Sequence, residues 1–117
     1  MLEERTAGSI EDNFGQLRKG LLEVAVLAIV SAHEVYAADI LNRLSETDFA
    51  TGEGTLYPLL SRMKREGWLE YEWVESASGP PRKYYKLTTG GTKRLHDSKA
   101  YISKLTTTLE DLGGHHA

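Results

Sequence analysis

Residues 54–87 constrain this chain more than any other stretch. Gly54-Thr55-Leu56-Tyr57-Pro58-Leu59-Leu60-Ser61-Arg62-Met63-Lys64-Arg65-Glu66-Gly67 reads as a compact helix. It runs straight into two strand-like segments, Trp68 to Glu75 and Arg82 to Leu87, joined by the turn Ser76-Ala77-Ser78-Gly79-Pro80-Pro81. On a helical wheel Leu56, Leu59, Leu60 and Met63 cluster on one side, which predicts a core-facing stripe. Gly54, Pro58, Ser61 and Arg65 lie opposite, with Tyr57 and Arg62 on the flanks and Lys64 on the other flank. In the first strand, alternation puts Leu69, Tyr71 and Trp73 on one face. Leu69, Trp73, Tyr85 and Leu87 are expected in the core, because a large aromatic on a hairpin usually packs.

Pro58 leaves the start of this helix open. If Thr55 is the N-cap, Pro58 falls in the first turn, where its missing N–H is harmless. If the helix starts nearer Thr51, the carbonyl of Gly54 meets the proline ring. Either way a helix N-terminus lies near Gly54-Thr55, a place that favours phosphate.

A helix followed directly by a hairpin, with cations on both, is the arrangement of a winged helix. The helix fits the DNA major groove and the hairpin tip reaches the flanking backbone. The predicted fold is therefore mainly α with a small β-hairpin: a winged helix-turn-helix plus a C-terminal dimerisation helix. The net charge of −3 argues mildly against nucleic acid, but its distribution argues for it. Residues 1–53 carry 4 basic and 10 acidic side chains, residues 54–94 carry 8 and 4, and residues 95–117 carry 2 and 3. A local basic face attracts phosphate while the rest stays acidic. The candidate DNA contacts are Gly54, Thr55, Tyr57, Pro58, Ser61, Arg62, Lys64 and Arg65 on the helix, and Arg82 and Lys83 on the wing. Small residues let the backbone approach the DNA closely. Tyr57 and Ser61 suit base edges or phosphates, and the arginines suit phosphate or guanine.

The rest of the chain divides around this unit. Residues 1–13 read as an N-terminal arm, 14–91 as the winged helix-turn-helix, 92–112 as the dimerisation helix and 113–117 as a tail. A first helix from about Phe14 to Ala32 is apolar almost all round from Leu21 onward, so it must be buried on more than one side. A second runs from about Tyr36 to Ser45, with Tyr36, Ile40, Leu41 and Leu44 on one stripe. Thr88-Thr89-Gly90-Gly91 is expected to separate the hairpin from the last helix. In that helix Leu95, Ser98, Ile102, Leu105, Leu109 and Leu112 alternate in steps of three and four, an a/d seam with one small polar break. No later element is available to cover it, so a partner chain is expected there. The candidate dimer interface is Leu21, Leu95, Ile102, Leu105, Leu109 and Leu112; packing back on the first helix is the alternative.

Several classes are disfavoured. The chain has no cysteine, which removes disulfides and thiol chemistry. Its N-terminus is charged, unlike a secretory signal, and its longest apolar run, Val24 to Val30, is far shorter than the roughly 20 residues that span a bilayer. A cytoplasmic protein without membrane contact is expected. His33, His96, His115 and His116 have no spacing for a metal site or a nucleophile–base pair, and no phosphate-loop pattern is present. No metal, cofactor or enzymatic activity is expected.

With these residues in hand, the chain resembles the PadR family of bacterial transcriptional regulators. The matching segments are Leu17-Arg18-Lys19-Gly20-Leu21-Leu22-Glu23, Gly54-Thr55-Leu56-Tyr57-Pro58-Leu59-Leu60-Ser61-Arg62-Met63, Glu66-Gly67-Trp68-Leu69 and Gly79-Pro80-Pro81-Arg82-Lys83-Tyr84-Tyr85-Lys86-Leu87-Thr88. The single short last helix is similar to the smaller PadR subfamily. The resemblance implies a homodimer, built from the last and first helices, that binds a partly palindromic double-stranded DNA operator and usually represses. Some small members bind flat apolar compounds in a pore at the dimer centre, which makes a small apolar effector there a further candidate partner. The candidate pocket for it is Phe14, Leu17, Leu21, Tyr101, Ile102 and Leu105. Ile102, with Tyr101 beside it, stands where some small members carry tryptophans. A second function class stays open on the residues alone: a winged-helix protein-interaction module without DNA binding.

Overall fold

The computed structural model describes residues 13–114; the expected arm up to residue 12 and the tail from residue 115 lie outside the described residues. Among the described residues, four helices surround a small three-stranded antiparallel sheet: α1 (Gly15–Ala32), β1 (Val35–Tyr36), α2 (Ala37–Ser45), α3 (Glu53–Arg65), β2 (Leu69–Ser76), β3 (Gly79–Leu87) and α4 (Thr89–Leu112). The strand order is β1-β3-β2. The mainly α fold with a hairpin wing is thus present, with one more strand than the sequence suggests.

The core is built from one stripe of each element. Leu22, Val26, Leu27 and Val30 of α1, Ile40 and Leu44 of α2, and Leu56, Leu60 and Met63 of α3 pack with Val35, Leu69 and Tyr85. The i, i+4 spacings in these helices put each set on one face. The helical stripe read for residues 54–65 is the observed one, with Leu59 only half-buried. Of the four hairpin residues expected in the core, Leu69 and Tyr85 are buried and Leu87 is half-buried. Trp73 is the correction: it is 62% exposed.

Helix α3 begins at Glu53 with Gly52 as its N-cap. Pro58 therefore sits inside the helix, and Gly54 is the residue whose carbonyl loses its hydrogen bond to the ring. The end of α3 is fixed by Gly67, whose φ of +85° carries the chain out of the helix. The Gly67 N–H donates to the Lys64 carbonyl at 3.0 Å and the Trp68 N–H to the Met63 carbonyl at 3.0 Å. This is the paired closure of a left-handed glycine cap.

The hairpin is longer than expected. Only Ala77 and Ser78 separate β2 from β3, and both prolines belong to β3. The register passes from Val74↔Arg82 to Ser76↔Gly79, so Pro80 and Pro81 together face Glu75. A bulge is a place where a strand can carry residues without an N–H to donate. The two-residue strand β1 pairs Val35 with Tyr85 and Tyr36 with Tyr84. Tyr36 is accordingly the strand residue that caps α2, not its first turn, and the Asp39 carboxylate accepts from the Tyr36 N–H at 3.0 Å.

The last helix starts three residues before the expected Thr92, at Thr89. Thr88 is its N-cap, its hydroxyl accepting from the Gly91 N–H at 2.9 Å. Gly90 and Gly91 form the first turn instead of a break. Gly91 is buried under the Trp68 carbonyl, where an added Cβ would overlap the backbone. The first part of α4 packs on α1. Beyond it the apolar side chains become increasingly bare: Leu105 is 45%, Leu109 70% and Leu112 79% exposed.

Candidate nucleic-acid interface

Two surfaces converge where α3 meets the wing. From α3, Gly54, Thr55, Tyr57, Pro58, Ser61, Lys64 and Arg65 are exposed. Their exposure follows from the core stripe, which leaves the opposite side of the helix in solvent. From the wing come Arg82, exposed, and Lys83, half-buried. A cleft of about 310 Å³ lies between them, lined by Tyr57 of α3, Tyr36, Ala37 and Ala38 around the start of α2, and Trp73, Pro81, Arg82, Lys83 and Tyr85 of the hairpin.

Aromatic rings hold the cations of this surface. The Arg82 guanidinium lies over the Tyr36 ring, 3.8 Å from its centroid. The Lys83 ammonium lies 4.6 Å from the Tyr71 centroid and 5.5 Å from that of Trp73. The Lys64 ammonium lies 5.3 Å from the same Tyr71 centroid. Such contacts orient a cation without neutralising it, so its charge stays available to phosphate. Tyr71 thus joins the end of α3 to the wing.

Arg62 is differently placed. Its guanidinium Nη2 donates to Glu23 Oε1 of α1 at 3.1 Å, on the flank where Arg94 Nε of α4 donates to Glu23 Oε2 at 2.9 Å. The other candidate contacts do not share this internal pairing. Thr55, near the start of α3, also lines a small recess with Gly15, Arg18 and Lys19 of α1.

Residues not selected from the sequence appear in the cleft. Tyr36 belongs to a strand too short to show any periodicity. Trp73 shares a face with Leu69 and Tyr71, and alternation reports the face but not the distance from the body. By the fifth pair, Trp73↔Lys83, the hairpin has left the core.

The six residues expected to line an effector pocket are not brought together within one chain. Phe14, Leu17 and Leu21 line a groove of about 500 Å³ with Arg18 and the α2–α3 connector, Thr47, Asp48, Phe49 and Ala50. Tyr101, Ile102 and Leu105 lie elsewhere, on α4, and are not part of its lining. Phe14, Leu17 and Tyr101 are each more than half exposed. Of the candidate dimer interface, Leu21, Leu95 and Ile102 are half-buried.

Among the described residues, two titrating groups are shifted. Burial pushes the Tyr85 phenol above its usual range, and the neighbouring Tyr71 and Tyr57 hydroxyls push it the same way. On the surface of α4, the hydrogen bond from Lys93 Nζ at 2.6 Å holds the Asp97 carboxyl below its usual range. Among the described residues no three His, Asp or Glu side chains gather as metal ligands, and no helix is long and apolar enough to cross a membrane.

Known proteins share this fold. Residues 26–97, more than half of the chain, match the transcriptional regulator PadR-like family. A PadR-like transcription factor from Bacteroides fragilis is 44% identical, with a TM-score of 0.76 over 86% of this chain and 98% of that one. A PadR family regulator from Eggerthella lenta superposes with a TM-score of 0.83 at 27% identity, over 95% of this chain and 97% of that one. A transcriptional regulator of Mycobacterium tuberculosis is 27% identical over 99 residues, covering 85% of this chain and 90% of its own length. All three are transcription regulators, and the two solved structures share the fold described above. The chain is a member of the PadR-like family of transcriptional regulators.

Proposed function

We propose that this regulator is a homodimeric repressor that binds a partly palindromic operator, with α3 in the major groove and the β2–β3 wing on the flanking backbone. The observation that carries the reading is the cleft between α3 and the wing, where Tyr57, Arg82 and Lys83 face the same space. Its width lies between two elements that a DNA strand would bridge, and its cations are pre-oriented on aromatic rings. Gly54, Thr55, Pro58, Ser61, Lys64 and Arg65 extend that surface along α3, and Arg62 borders it.

The bare Leu105, Leu109 and Leu112 support a second subunit, because an apolar helix edge of this length is costly to leave in water. With Leu21, Leu95 and Ile102 they form the proposed dimer interface. Two winged helices related by a two-fold axis read two half-sites. A small apolar effector held by Phe14, Leu17, Leu21, Tyr101, Ile102 and Leu105 across the interface would alter the spacing of the two α3 helices and release the operator. Phe14, Leu17 and Leu21 line one groove that Tyr101, Ile102 and Leu105 do not reach, so the proposed pocket needs the partner to complete it.

The test is the double substitution Arg65→Glu with Arg82→Glu. Loss of operator binding with dimer and helical content retained is the expected result. Unchanged affinity would overturn the assignment of these contacts.

A further inference from the structure

A charged cluster borders the DNA-facing surface. Glu23 stands near the middle of α1 with its side chain only 13% exposed. One carboxylate oxygen accepts from Arg62 of α3 and the other from Arg94 of α4. Both guanidinium groups also lie over Trp68, at 6.0 Å and 4.4 Å from a ring centroid. Trp68 is the residue that follows the glycine cap of α3. Its carbonyl accepts from the Thr88 N–H at 3.2 Å and roofs Gly91 in the first turn of α4. The end of the reading helix and the start of the last helix therefore share one joint.

A helix held at one point can pivot; a helix held at two is oriented. Gly91 under Trp68 is the first point for α4. Arg94, one turn further on, is the second, and Glu23 supplies it. The same carboxylate grips α3 through Arg62. A largely buried carboxylate between two arginines makes charge-assisted bonds on both oxygens, which fixes direction as well as distance.

We infer that Glu23 is a positioning residue that locks the angle between the reading helix α3 and the dimerisation helix α4, and so sets the operator half-site spacing that the dimer accepts. The inference rests on the proposed DNA-binding dimer. In such a dimer the two reading helices are connected through an interface to which α4 supplies most of the apolar residues, so the stiffness of the α3–α4 joint helps set how strictly spacing is read. Arg62 then acts through Glu23 as much as through DNA.

The experiment uses the full chain and a duplex recovered by selection from a random library, rebuilt with one base pair removed from or added to the spacer. The variants are Glu23→Gln, which keeps the shape and removes the charge, and Arg94→Gln, which removes only the α4 half of the grip. The wild type is expected to discriminate by about tenfold or more between the selected spacing and its neighbours, as for two half-sites read as one unit. Both variants are expected to remain dimeric, with the same salt dependence on the selected duplex, but with spacing discrimination reduced at least threefold. A merely structural role would lower the melting temperature without widening the accepted spacing. If Glu23→Gln does not fold, Arg94→Gln decides alone. Wild-type discrimination in every folded variant overturns the inference. A wild type that selects no duplex overturns the DNA-binding reading beneath it.

Discussion

Arg82 of the wing lies over the ring of Tyr36, its guanidinium carbon 3.8 Å from the ring centroid. The contact ties the hairpin to the strand that caps α2, so a wing cation is aimed by the body of the domain. Arg82→Ala is expected to weaken operator binding and to lower the salt slope by about one, the signature of a lost phosphate contact. Tyr36→Leu keeps the charge and removes the platform. It should weaken binding less, with the slope unchanged. Anisotropy titrations at several salt concentrations separate the two outcomes.

Gly91 and Gly20 make opposite demands on an alanine. At Gly91 the new methyl would collide with the Trp68 carbonyl, a backbone group that cannot rotate away. Gly91→Ala is expected to destabilise by about 1–3 kcal/mol, the usual range for overpacking. At Gly20, inside α1, nothing lies within 4 Å of the position a Cβ would take. Gly20→Ala should stabilise by up to about 1 kcal/mol through helix propensity. Urea unfolding of the two variants measures both.

Tyr85 gives the fold an alkaline limit. Its phenol is neutral in the folded state and its pKa is raised, chiefly by burial. A group whose folded pKa exceeds the unfolded value near 10 contributes stability that is complete below about pH 10 and is lost as pH rises through the folded value. Stability should therefore fall above about pH 10, and Tyr85→Phe should flatten that fall. Denaturant midpoints from neutral to alkaline pH record the difference; an equally steep decline in both proteins would assign it to other tyrosines.

Leu109 and Leu112 are 70% and 79% exposed, so the single chain gains little from them. Replacing both with Glu is expected to convert a dimer to a monomer in sedimentation equilibrium while the helical signal persists. Because only two half-sites read together give tight binding, operator affinity should fall steeply in the same variant.

The order of helix and hairpin was legible because each has a strong period. Leu56, Leu60 and Met63 repeat as a helix, and Leu69 and Tyr71 alternate as a strand. Tyr36 was not, since a two-residue strand has no period to read. Pro80 and Pro81 looked like a turn because proline usually marks one; a bulge opposite Glu75 admits both into β3. Trp73 followed the core face outward past the end of the core. The Glu23 grip had no local signal at all, because its partners lie 39 and 71 residues away. Only the packing of α1 between α3 and α4 brings them together.

The most direct test of the account is a salt-varied fluorescence-anisotropy titration of the full chain. One duplex covers the region upstream of its own gene; the control has the same composition in shuffled order. Tight binding to the first alone, weakening steeply with salt, is the expected result for a sequence-specific dimeric regulator. Weak binding that is equal for both duplexes and insensitive to salt, repeated with duplexes selected from a random library, would contradict it.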